Sequence, residues 1–406
     1  MCTMKRIYES VVSDHFATNR QMAFLSGPRQ VGKTTLAESV LRDAMCLNYD
    51  NAADARVIAA GPDAVAAFAD LANPAKARKG IIFDELHKFP KWKRFLKGFF
   101  DVYADKGKMK VAVTGSARMD VYKRGGDSMM GRYFAYRVHP VTIGELGGTE
   151  VNLDETFRRT SHIAPDDLRA LLRFSGYPEP FLKANDRFYN RWKRMRLEKM
   201  FAEDLRDLSR VQDVNGLRSL ADLLAARVGG GANYASLAAD LSVSPDTAKA
   251  WVSVLGSVYY CWTLQPWFKN VANSIRKQPK IYLWDWSLVR DAGPRNENFV
   301  ASHLLKAVHW WTDSGLGDFG LYYLRTKQQK EVDFLITKDE TPFMLVECKT
   351  SLNEPLSPAL VEFQKTLSVP YAFQVGIDAP ASGVEPLEYE GTSIKVSALD
   401  FLRILV

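Results

Sequence analysis

Four cysteines, Cys2, Cys46, Cys261 and Cys348, are scattered over 406 residues with no C-x-x-C pair. That spacing speaks against a zinc site or a disulfide framework, and reduced thiols in a cytoplasm are the expectation. No run of about 18 apolar residues exists for a membrane span, and no apolar region follows the first residues, so no signal peptide or membrane partner is expected. Internal repeats and low-complexity tracts are also lacking. What is present is ordinary globular composition, 47% hydrophobic and 25% charged, enough for real cores and for two to four domains. The net charge of +7 permits an acidic partner such as nucleic acid without demanding one.

The most informative stretch is Ser26 to Thr35. It fits G-x-x-x-x-G-K-[ST], with Gly27, Gly32, Lys33 and Thr34 at the fixed places and Pro28, Arg29, Gln30 and Val31 between them. An apolar stretch, Met22 to Leu25, precedes it and a helix-compatible stretch from Thr35 follows. Such a loop points backbone N–H groups at phosphate oxygens, and the helix N-terminus adds partial positive charge. Lys33 is expected on the β- and γ-phosphates of ATP, and the Thr34 hydroxyl on Mg²⁺.

Three apolar residues run into Asp84-Glu85 within residues 80 to 87. A buried strand would deliver both carboxylates to its C-terminal end, the first to hold Mg²⁺ and the second to polarise the attacking water. The competing reading is an Asp-Glu helix cap, which the β-type apolar run disfavours. Residues 110 to 118 repeat the pattern, a short strand ending in Thr114-Gly115-Ser116. Ser116 would then sit beside the γ-phosphate and the Asp84 carboxylate. Such strands make a parallel, doubly wound sheet with ligand at the strand C-termini. Arg132, just past this core, is either a surface residue or a finger on a neighbouring subunit's nucleotide.

Taken in order, these motifs and the Gly-Arg…Pro…Gly-Glu-Leu stretch ending at Leu146 resemble the prokaryotic AAA-type ATPases whose C-terminal half is called DUF4143. Gly176-Tyr177-Pro178-Glu179-Pro180 continues the likeness. The resemblance implies ATP hydrolysis and assembly of copies, as a ring, since a lone AAA-type core usually lacks its trans Arg.

Beyond a linker over residues 147 to 165, residues 166 to 227 read as helices, with Arg187, Arg191, Lys193, Arg194, Arg196 and Lys199 close together. That run is a solvated face or a DNA-phosphate surface. Residues 234 to 255 read as helix-turn-helix, with Ser244 capping a second helix that begins at Pro245, and Val258 to Leu264 as a wing strand. The second helix offers Lys249 beside Asp246, so DNA reading and protein docking both stay open.

In the last 125 residues, Glu297 falls on a helix, Asp333 on one strand, and Glu347 and Lys349 on one face of the next. This is the pattern of PD-(D/E)xK nucleases. The three acids would hold Mg²⁺ and Lys349 would orient water, or the same groups form a paired ion network. The expected fold is therefore α/β. It comprises an AAA-type ATPase domain (1–150), a helical connector (151–227), a winged helix (228–280) and a restriction-endonuclease-like domain (281–406). The expected function is a Mg²⁺-dependent ATPase acting on duplex or branched DNA. The alternative is a nucleotide-gated switch that docks a protein partner.

Overall fold

The computed structural model describes residues 4–71, 79–104, 109–116, 129–148, 151–158, 163–205, 213–267, 278–326 and 328–406. Cys2 and Arg118, both in stretches read above, lie outside these residues, as do parts of the expected linker and connector. The chain divides into two compact units. The first comprises residues 1–139 with 149–151, and the second residues 140–148 with 152–406.

The first unit is built on a parallel sheet of β1 (Met22–Ser26), β2 (Met45–Asn48), β3 (Gly80–Asp84), β4 (Lys110–Gly115) and β5 (Tyr133–Arg137), in the order β2-β3-β4-β1-β5. Its central strands are buried along nearly their whole length. That is why they read as continuous apolar runs and not as alternation. Phe83 packs edge-on against Phe95 and Phe99 of the helix Trp92–Phe99. The Ala-rich stretch after β2 forms two helices, Ala52–Ala60 and Pro62–Phe68. Gly61 at φ +108° followed by Pro62 makes the break.

The second unit contains a seven-stranded mixed sheet. Its strands are β6 (Cys261–Pro266), β7 (Lys280–Leu283), β8 (Phe319–Arg325), β9 (Glu331–Lys338), β10 (Thr341–Lys349), β11 (Tyr371–Gly376) and β12 (Ser393–Ser397). Their order is β12-β11-β10-β9-β8-β6-β7. The helix-turn-helix is present as Tyr234–Leu241 and Pro245–Ser257, and the Ser244 side chain caps the second helix by accepting from the Thr247 N–H. The strand expected as a wing also joins the large sheet. It is β6, antiparallel to β7 and parallel to β8 through Gln265 and Pro266. The boundary expected between residues 280 and 281 therefore falls at the first residue of β7 and cuts one continuous sheet.

Residues 140–148 belong to this second unit because of what they bury. The Glu145 carboxylate meets the Lys306 ammonium at 2.6 Å, and both side chains are fully buried. Lys306 also donates to Thr142 Oγ1, whose hydroxyl donates to the Val406 carbonyl. The Ile143 N–H donates to His303 Nε2, and His303 Nδ1 donates to the Phe299 carbonyl. The two partners together keep the imidazole neutral. Burial pushes its pKa down to about 3. Arg158 closes the segment by donating to the carbonyls of Gly144 and Gly148.

Candidate ATPase site and the C-terminal acid cluster

At the C-terminal ends of β1, β3 and β4, the expected residues of the first unit come together. Gly27 leaves β1 with its Cα against the Val138 carbonyl; a Cβ there would lie 2.2 Å from that oxygen. Only glycine fits so close an approach. Gly32, at φ +94°, opens the helix Lys33–Val40. Lys33 is buried and donates to the carbonyls of Gly27 and Pro28, 3.0 and 2.8 Å away. Its ammonium thus lies inside the loop formed by Gly27, Pro28, Arg29, Gln30, Val31 and Gly32. Thr34 and Thr35 follow on the first helical turn.

Asp84 ends β3, almost buried. The Thr34 hydroxyl donates to its Oδ1 at 3.0 Å, the Thr114 hydroxyl donates to the same oxygen, and Asn48 Nδ2 donates to Oδ2 at 3.3 Å. A hydroxyl and a carboxylate side by side form the hard-oxygen set that Mg²⁺ takes, so Thr34 and Asp84 fit the ion expected with ATP. Glu85 sits in the left-handed region, at φ +54° and ψ +25°. A non-glycine residue there is held at a cost that surrounding contacts must offset. Ser116 supplies one contact, donating to Glu85 Oε2 at 3.1 Å. Lys88, on the single 3₁₀ turn after it, supplies another at 3.8 Å while bonding Asp50 at 2.7 Å. His87 stays neutral. Burial, with Lys88, Lys33 and Arg29 nearby, lowers its pKa to about 4.

Several of these residues were not singled out from the sequence. Lys88 follows Glu85 by three positions, a spacing that could have revealed it. Asn48 and Asp50, at the end of β2, carry no local signal. Nor does Arg6, which is buried and donates to the carbonyls of Val31 and His139, both at 2.7 Å. It fastens the phosphate loop to the chain beyond β5. Arg132 is placed elsewhere. It precedes β5, its carbonyl accepts from the Met22 N–H at the start of β1, and its guanidinium grips Asp101. That is the end of the parallel sheet away from the phosphate loop, so Arg132 does not reach the nucleotide site of its own chain.

The second unit brings its four expected residues into one neighbourhood, but around a lysine. Lys280 Nζ lies 2.7 Å from Glu331, and 3.5 Å from both Glu297 and Asp333. Tyr282 donates to Glu297 Oε1 at 2.6 Å. Asp333 Oδ2 accepts from the Cys348 N–H at 2.9 Å. Glu347 pairs with Lys349 at 3.0 Å, and its other oxygen is buried without a partner. Burial, then the Asp333 charge, pushes the Glu347 carboxyl up to about 7. Burial alone would lower the Lys280 ammonium; Glu297, Asp333 and Glu331 reverse this and raise it. Among the described residues no three carboxylate, imidazole or thiol side chains are arranged to hold a metal ion.

Residues 19–147 match the family model described as AAA domain. Residues 165–297 match a domain of unknown function, DUF8612, and residues 292–377 match the domain of unknown function DUF4143. With the phosphate loop and acids in place, the first unit is an AAA-type P-loop ATPase, and the chain couples it to a C-terminal DUF4143 domain. Among whole proteins it is similar to the uncharacterized proteins Rv2008c of Mycobacterium tuberculosis and Mb2031c of Mycobacterium bovis. Each is 25% identical over 361 residues, covering 84% of this chain and 74% of the relative. Among solved structures it overlaps the Walker-type ATPase PABY2304 of Pyrococcus abyssi, with a TM-score of 0.41 and 14% identity, over 69% of this chain and 93% of that one. It also overlaps the Aeropyrum pernix ORC1 protein in complex with DNA, with a TM-score of 0.29 and 13% identity, over 73% and 93%. Overlaps this loose decide nothing about what the present chain binds. No helix among the described residues is long and apolar enough to cross a membrane.

Proposed function

We propose that the chain is a Mg²⁺-dependent ATPase that acts on duplex or branched DNA, with ATP bound between subunits of a ring driving assembly or movement. The observation that carries the catalytic part is the convergence of Lys33, Thr34 and Asp84 beside the Glu85–Ser116 pair. The backbone N–H groups between Gly27 and Thr35, Pro28 excepted, and the Lys33 ammonium would hold the β- and γ-phosphates. Lys33 would exchange the carbonyls of Gly27 and Pro28 for phosphate oxygens. Thr34 and Asp84 would hold Mg²⁺, which supplies charge neutralisation on those oxygens. Glu85 would polarise the attacking water, with Ser116 and Lys88 fixing its carboxylate. Arg132, remote from its own site, remains the candidate finger toward a neighbouring copy.

DNA is supported by the helix Asp186–Lys199. Arg187, Arg191 and Arg194 are exposed at i, i+4 and i+7, one stripe on one face. Arg196 is not part of it, being drawn inward to Asp285 and Tyr177. The second reading, a nucleotide-gated switch docking a protein through the helix-turn-helix, is favoured by the exposed Asp246 and Lys249 at the start of its second helix. ATP turnover measured with and without linear, single-stranded and four-way DNA, at two salt concentrations, separates the readings. Stimulation that fades with salt supports DNA; turnover indifferent to every DNA defeats that reading in favour of the switch.

A further inference from the structure

We propose that Lys280 is the resident cation of the C-terminal acid cluster. Its ammonium takes the position a divalent ion would need among Glu297, Glu331 and Asp333, and replacing it with an uncharged side chain turns the cluster into a site for a hard divalent cation. This inference does not rest on the ATPase reading and is tested without nucleotide.

Asp333 decides the matter. In a nuclease of this pattern its carboxylate would bind the metal. Here both oxygens are taken, Oδ1 by Lys280 at 3.5 Å and Oδ2 by the Cys348 N–H at 2.9 Å. Glu297 is likewise engaged, by Lys280 and by the Tyr282 hydroxyl at 2.6 Å. Lys280 and Tyr282 lie two residues apart on β7 and so face the cluster together. The strand is pinned there by antiparallel pairing with β6 and by a bridge from Gly231 to Lys280. On the Glu297 side a glycine closes the cluster. A Cβ at Gly229 would lie 2.9 Å from the Glu297 carboxylate, so no larger residue fits without moving it.

Mg²⁺ needs near-octahedral oxygens at about 2.0–2.1 Å. Carboxylates gathered around a nitrogen at 2.7 to 3.5 Å do not provide that while the nitrogen is there. The Lys280 side chain is only 7% exposed, so it is not a surface group loosely leaning in. Glu347 differs from these acids. It lies beside Asp333, and its buried Oε2 has no partner. In a nuclease of this pattern such an oxygen would bond a metal shared with Asp333.

The experiment counts Mn²⁺ bound by the full chain, from the loss of the free-ion electron paramagnetic resonance signal. The proteins are wild type, Asp333→Asn, Lys280→Met and the double variant. Wild type and Asp333→Asn are expected to bind equal numbers of ions. Lys280→Met should bind one more, which the double variant loses, and its melting temperature should rise with Mn²⁺ where wild type shows no such rise. An ion bound by wild type and lost in Asp333→Asn overturns the proposal. So does a folded Lys280→Met that gains none. Should Lys280→Met fail to fold, the comparison of wild type with Asp333→Asn decides alone, equal counts supporting the resident lysine and unequal counts refuting it.

Discussion

Asp84 and Asp333 each stand on a strand of a sheet, and each is held on both oxygens, yet by different chemistry. Around Asp84 the partners are hydroxyls and an amide, from Thr34, Thr114 and Asn48. Around Asp333 they are an ammonium and a backbone N–H. Neutral donors leave the negative charge of Asp84 uncompensated, and hydroxyl oxygens can turn their lone pairs toward an arriving cation. An ammonium already offsets part of the charge and offers no lone pair. The same residue type thus builds a cation-ready site in one unit and a closed ion cluster in the other. The difference lies in its neighbours, which a motif search does not examine.

The sharpest way to break this contrast is to remove one acid from each cluster. Glu85→Gln should reduce ATP turnover by about 10²–10⁴-fold with nucleotide affinity kept, whereas Asp333→Asn should leave DNA-free turnover within about twofold. Equal losses in both, by coupled phosphate-release assay, would end the distinction.

A second test concerns lysines held by acids. Glu145→Ala removes the carboxylate from beside the buried Lys306 ammonium, at a cost of about 3–5 kcal/mol. Replacing the pair together, as Glu145→Leu/Lys306→Met, should recover much of that cost. Calorimetry reads both; an alanine variant that melts with wild type would mean that the pair carries little.

The next effect is smaller and depends on pH. His303 has a folded pKa of about 3 against an ordinary 6.5. Its stabilising contribution is therefore complete above pH 6.5 and is lost as pH falls toward 3, at about 1.4 kcal/mol per unit. His87 acts alike in the first unit, between 6.5 and about 4. Melting curves from pH 7 to 5 should steepen in wild type relative to His303→Gln. Identical slopes would show that the imidazole already carries its proton when folded.

The smallest effect is at the basic stripe. Each of Arg187→Gln, Arg191→Gln and Arg194→Gln should reduce the slope of log affinity against log salt by about 0.9 for duplex DNA. An unchanged slope in the triple variant would remove the helix Asp186–Lys199 from the DNA surface.

The phosphate loop and both acid strands were legible because their signals are local. A fixed spacing of Gly27, Gly32 and Lys33, and apolar runs into Asp84 and Ser116, need no knowledge of the rest of the fold. The capped turn at Ser244 was legible for the same reason. Glu297, Asp333, Glu347 and Lys349 were found as a group, but their partner Lys280 was not. It precedes Asp333 by 53 positions and sits on a strand that joined the sheet unexpectedly. Arg6 meets the His139 carbonyl across 133 positions. Such contacts are set by topology, and only the folded chain displays them.

One consequence follows from the fold of residues 140–148. A fragment that begins after Val151 would carry Lys306 without Glu145, His303 without the Ile143 N–H, and the Val406 carbonyl without Thr142. Its interior would open exactly where the missing nine residues lay. The segment that ends the AAA-type match is thus a structural part of the C-terminal half. A chimaera joined between residues 147 and 165 would bring in a foreign Gly-Glu-Leu segment, and its carboxylate would have to meet the resident Lys306.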